Sequence, residues 1–209
     1  METQKTHLSI RIIYWFTMVV FWIFAVFAII LLGVSVAFLF GWFDDGLFLN
    51  VGLPVAFDLR GNGTLDLGFL QSEVALKEAY GKIQFPGTPA YIARIYGAFM
   101  LVIIPVIFSL IYLFRNFIRN VYRGMYFEVD NIIILKRISY VLMGLWFLMV
   151  AYSVFQYFFL AINLTFENVD FTGNLQFHGY VFFSGLFLWM LSHIFLQGAK
   201  LQEDNNLTI

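Results

Sequence analysis

At 209 residues the chain has the length of one or two soluble domains. Its composition excludes that class: 61% of residues are hydrophobic, 21% aromatic and 12% charged, against about 25% charged in an ordinary globular protein. A net charge of −1 gives no basis for direct nucleic-acid binding, and the absence of cysteine excludes disulfides, thiolate nucleophiles, iron–sulfur clusters and attached c-type haem.

Four apolar stretches match or approach the roughly 20 helical residues that cross a bilayer. They cover about 12–40, 91–114, 138–163 and 179–195. Helices are the expected form, because open strands in lipid leave backbone groups unpaired. The first stretch follows Lys5 and Arg11 but is far longer than a signal-peptide core, and it ends in Phe38-Leu39-Phe40-Gly41 rather than a small-residue cleavage site. It reads as an uncleaved anchor. Gly33 and Ala37 form a small-residue pair that lets another helix approach closely.

The loop at 41–90 has turn and strand signals. Residues 54–60 and 64–67 flank Gly61-Asn62-Gly63, which predicts a hairpin. Residues 72–80 read as a short helix stopped by Gly81, with a strand at 82–85. In the loop at 164–178, Val169 and Phe171 are expected to face Leu175 and Phe177 across Gly173-Asn174. The fold class is therefore membrane all-α: four transmembrane helices with a small β-rich extracytoplasmic cap built from both loops. A ligand-binding external domain is the sharper reading of that cap.

Eight of the twelve Lys and Arg residues fall in the N-terminal tail, the 115–137 connection and the 196–209 tail. The positive-inside bias places both termini in the cytoplasm. The expected location is a bacterial cytoplasmic (inner) membrane, with multi-pass insertion.

Catalytic patterns are missing. All thirteen acidic residues lie outside the four apolar cores, whereas a coupled pump keeps an ionisable group at mid-membrane. His178 and His193 are fifteen residues apart, about 22 Å along a helix, too far to share a metal or haem. The external acids Asp44, Asp45, Asp58 and Asp66 match no calcium loop. Ser153, Gln156 and Asn163 make a polar stripe on the third span, read either as helix–helix hydrogen bonding or as the lining of a path. No enzyme, metal or cofactor is expected.

The 115–137 connection is the most informative segment. Arg115, Arg119 and Arg123 recur every four residues, and Phe114, Phe117, Ile118, Val121 and Tyr122 fill another face. This is a basic amphipathic helix at a membrane boundary. Gly124 can end it. Glu128, Asp130 and Asn131 suit the start of the next helix, and Lys136 and Arg137 snorkel at the boundary.

Arg123, Gly124, Phe127, Asn131, Leu135, Arg137 and Ile138 here, with Gly198, Ala199, Leu201, Glu203, Leu207, Thr208 and Ile209 at the C-terminus, carry a family resemblance. The chain resembles the YoaS-like family of uncharacterised bacterial four-span integral membrane proteins, a domain-of-unknown-function group. It departs from that pattern at Glu128, where Ser or Thr is usual, and at Asn206, where Asp is usual. The resemblance implies a small helix-turn-helix regulator as a cytosolic partner.

The tail at 198–209 is expected to fold against the 115–137 hairpin, its acids Glu203 and Asp204 near the arginines. The expected partner or headgroup surface comprises Arg115, Arg119, Arg123, Gly124, Phe127, Asn131, Arg137, Gly198, Leu201, Glu203, Leu207, Thr208 and Ile209. The preferred function is non-enzymatic: tethering or signalling to that regulator, with the lipid bilayer and a further copy of the chain as other partners. The alternative is a small transporter, channel or lipid/peptide-handling protein of an immunity type.

Overall fold

The computed structural model describes residues 8–42, 52–57, 61–66, 68–69, 71–76, 79–84, 89–125, 128–159, 171–173 and 175–207. Four helices, α1 (Leu8–Leu39), α2 (Ala90–Tyr122), α3 (Val129–Phe159) and α4 (Gly179–Leu207), account for most of them. All four are long and apolar enough to cross a membrane. At most 17% of the most apolar window of each helix is buried within the chain.

The helices outlast the apolar stretches. Their 32, 33, 31 and 29 residues amount to about 44–50 Å at the α-helical rise, against a hydrocarbon core of about 30 Å. The connection expected at 115–137 is therefore mostly a continuation of α2 and α3, leaving a turn at 123–128. The C-terminal tail likewise continues α4 as helix to Leu207.

The chain divides into two compact units, the first made of Met1–Trp42, Arg94–Met149 and His178–Ile209. Its helices pack as antiparallel pairs brought close by glycine. A Cβ on Gly97 of α2 would lie 2.9 Å from the Ser35 carbonyl oxygen of α1 and 3.1 Å from Phe38 Cβ. A Cβ on Gly185 of α4 would lie 3.1 Å from the Ser139 carbonyl oxygen of α3 and 3.0 Å from Met143. Ser35 and Ala37 are buried, but Gly33 meets nothing within 4 Å, so the close approach expected at Gly33 and Ala37 is made instead by Ser35 and Phe38 against Gly97. Ser35 Oγ donates to the Leu31 carbonyl, Thr17 Oγ1 to Ile13, Ser139 Oγ to Lys136 and Ser192 Oγ to Trp189. Each small hydroxyl thus satisfies itself within its own helix, where lipid offers no partner.

The second unit comprises Phe43–Ala93 and Val150–Phe177. Strands β1 (Gly52–Phe57), β4 (Ala79–Gln84) and β5 (Phe171–Gly173) form an antiparallel sheet in the order β4-β1-β5, while β2 (Gly61–Asp66) pairs with β3 (Gln71–Leu76). A small β element built from both loops is therefore present. Its internal pairing corrects three expectations. Gly61-Asn62-Gly63 lies inside β2, and the hairpin turns after Asp66, whose carboxylate accepts from Gly68 N–H at 2.8 Å and from Gln71 Nε2 at 3.1 Å. Gly68 has φ +80°, the left-handed conformation that such a turn demands.

The helix expected over 72–80 is instead most of β3 and the start of β4, because long-range pairing outweighs the helix preference of Glu, Ala and Lys. The strand expected at 82–85 falls within β4 over 82–84. Phe171 pairs with Phe57 of β1, not with Leu175 or Phe177; Val169 lies outside the described residues. Pairing of β1 with β5 starts at Val55, just beyond Pro54, whose missing N–H cannot serve a ladder.

Candidate docking surface at the basic helix ends

The end of α2 is set by its sequence. Gly124 has φ +84°, Gly124 N–H donates to the Val121 carbonyl at 3.0 Å, and Met125 N–H donates to Asn120 at 3.0 Å. This glycine-terminated double hydrogen bond closes a helix and reverses the chain. The same device ends α1, where Gly41 has φ +69° and Gly41 and Trp42 N–H donate to Phe38 and Ala37. α3 begins on Glu128, whose carbonyl accepts from Asn131 N–H at 2.9 Å and Ile132 N–H at 3.2 Å. Asp130 lies in the first turn, where the positive end of the helix dipole favours a carboxylate.

The three arginines of the α2 stripe have different surroundings. Arg115 is turned onto α1: its Nε lies 3.1 Å from Met18 Sδ, and its guanidinium sits 4.4 Å from the centroid of the Phe21 ring. Arg119, one turn further on, is half-buried, and its Nε is shielded from solvent without an acceptor. Arg123 lies past the helix end and is exposed. Beside them Tyr122 stacks on Tyr14 of α1, ring centroids 4.5 Å apart and planes 12° apart. Sequence reading missed these α1 partners. The signal was there in Tyr14, Thr17, Met18 and Phe21, a helical stripe at spacings of 3, 4 and 7.

On α3 the expected surface splits. Arg137 is exposed, and Lys136 reaches toward its own helix's Tyr140, 6.0 Å from the ring centroid. Asn131 is 1% exposed among the buried Ile132, Leu135, Ile138 and Ser139, and neither its Oδ1 nor its Nδ2 has a hydrogen-bond partner. It is a core residue, not a surface one. On α4, Gly198 and Leu201 are exposed. Glu203 and Leu207 lie in the α4 helix, and Phe127, Thr208 and Ile209 lie outside the described residues.

Basic residues outnumber acids at these helix ends: Arg11, Arg115, Arg119, Arg123, Lys136, Arg137 and Lys200 stand against Glu128, Asp130, Glu203 and Asp204. Such a surface attracts anions and is sensitive to ionic strength.

The other residues singled out by sequence are engaged locally. Ser153 is buried and its Oγ accepts from Gln176 N–H at 3.0 Å, so this part of the stripe secures a loop. Gln156 is buried as well, and Asn163 lies outside the described residues. His193 Nδ1 lies 3.0 Å from the Trp189 carbonyl oxygen within α4, and His178 has φ +46° just before that helix. Among the described residues no three His, Cys, Asp or Glu side chains gather in a metal-binding group.

A family model described as a protein of unknown function (DUF2975) matches residues 74–209. That match covers α2, α3 and α4 together with β4, β5 and part of β3. No curated protein and no solved structure matches the chain.

Proposed function

The chain belongs to the DUF2975 family of proteins of unknown function, and we propose that it is a non-enzymatic membrane protein that docks a cytosolic partner. The docking surface is the 123–128 turn together with the end of α4. The partner is the small helix-turn-helix regulator that the family resemblance implies, and both chain termini share its compartment, the cytoplasm of a bacterial cell.

One observation carries this reading. α2 and α4 continue as regular helix beyond their apolar stretches, α2 to Tyr122 and α4 to Leu207. Helix ends of this kind, with α2 joined to α3 by a short turn, offer a preformed surface, which lowers the ordering cost of association. Exposed Arg123, Gly124, Arg137, Gly198 and Leu201 supply charge and an apolar contact. Arg115 is occupied by α1, so it stands outside the docking surface, and buried Asn131 supports rather than touches a partner.

Co-purification from gently solubilised membranes tests the reading. A DNA-binding regulator retained by the intact chain, and lost when residues 198–209 are deleted, is the expected result. Retention of no such protein, or retention unaffected by the deletion, contradicts it.

A further inference from the structure

We propose that the α1–α2 edge binds one anionic phospholipid, its phosphate on Arg119 and Arg115 and one acyl chain in the apolar groove that continues along the same two helices. Three observations join at this edge.

The first is unspent charge. Arg119 Nε is buried without an acceptor while its terminal nitrogens are not buried. The guanidinium is held at its root and offers its outer donors, a geometry that suits bidentate contact with phosphate. Arg115 has a sulfur and a ring for neighbours, which stabilise a cation but do not neutralise it.

The second is depth. Arg115, Arg119 and Arg123 are spaced by four, about 6 Å of rise per step. They form a ladder from the headgroup level toward the acyl region. A lipid phosphate reaches the lower rungs, where a soluble polyanion or an acidic protein surface does not. The stacked Tyr14 and Tyr122 sit beside this ladder, as aromatic residues do at membrane–water boundaries.

The third is an apolar groove of about 390 Å³ lined by α1 and α2, including Phe24, Phe27, Ala28, Leu31, Ile104 and Phe108. Phe21 connects groove to charge: its ring lies 4.4 Å from the Arg115 guanidinium on one side and 5.6 Å from the Phe108 ring on the other. Charge, aromatic bridge and apolar groove succeed one another along one helix pair, in the order of phosphate, glycerol and acyl chain in a phospholipid.

The test is native mass spectrometry of the full-length chain released from mixed micelles holding phosphatidylglycerol and phosphatidylcholine with identical acyl chains. One phosphatidylglycerol should be retained in preference to phosphatidylcholine. Arg119→Gln should reduce that preference about fivefold, the factor for one basic residue at an anionic surface, while Arg119→Lys keeps most of it. Ala28→Trp, which fills the groove, should lower retention with Arg119 intact, and it carries the test if the Arg119 variants fail to fold. Lys200→Gln, outside the edge, should change nothing. Equal retention of the two lipids, displacement by excess inorganic phosphate, or equal losses in Arg119→Gln and Lys200→Gln would overturn the proposal; the last marks a diffuse basic surface. Ala28 lies fourteen residues along α1 from Tyr14, whose ring stacks on Tyr122 at the end of α2, so loss of the lipid in Ala28→Trp and loss of a cytosolic partner at the 123–128 turn and the α4 end are separable outcomes.

Discussion

Gly97 is the residue whose replacement the fold should resist most. A Cβ there meets the Ser35 carbonyl oxygen at 2.9 Å, and a backbone atom cannot step aside as a flexible side chain can. Gly97→Leu should lower the stability of the purified protein by about 1–3 kcal/mol or more through overpacking, read as thermal unfolding in detergent. Gly33→Leu should leave it unchanged, because that position faces open space. Close helix approach through a small residue is present, but at Gly97 and not at Gly33. Spacing along one helix does not say which face a neighbour takes. Asn131 poses the opposite case, a buried amide with both polar atoms unpaired. An orphaned buried polar group costs about 1–3 kcal/mol, so Asn131→Leu should leave thermal stability unchanged or raise it. A fall of similar size would mean that the amide is hydrogen-bonded in the membrane.

Among the elements, helix ends were the most legible in sequence. Gly124 closes α2 as its position in the chain predicts, with φ +84°. Gly124→Ala forces a side chain into the left-handed region at about 1–2 kcal/mol, and should loosen the turn, seen as faster hydrogen exchange over 120–125. Strand pairing was least legible. Asn-Gly is a strong local turn signal, yet here Gly61-Asn62-Gly63 pairs along β2 and the reversal is left to Asp66 and Gly68. Nothing local to β1 reveals that its partners are β4, beyond the whole β2–β3 hairpin, and β5, from the other loop. The cysteine-free chain allows a clean test. Ala56→Cys with Thr172→Cys, directly paired across β1 and β5, should cross-link under mild oxidation. Cross-linking of Arg60→Cys with Thr64→Cys in its place would restore the rejected hairpin.

For the whole molecule, composition and the four apolar runs were enough to give the membrane class and helix count, because the bilayer leaves few alternatives. The candidate surface was less legible. Sequence treated Arg115, Arg119 and Arg123 as one stripe, and only three-dimensional packing separates the one held by α1 from the one exposed past the helix end. The tail was less legible still: its mixed polar composition does not mark where the helix stops, and α4 runs on as regular helix through Gly198 to Leu207. With four spans, the 123–128 turn and the end of α4 emerge on the same side of the membrane, and docking of a cytosolic partner requires that side to be the cytoplasm. Single cysteines at Arg123, Gln202 and Asn62, labelled in intact cells with a membrane-impermeant maleimide, test it most directly. Labelling of Asn62→Cys alone, with Arg123→Cys and Gln202→Cys reacting only after the membrane is opened, is the predicted result. Labelling of either Arg123→Cys or Gln202→Cys in intact cells would contradict it.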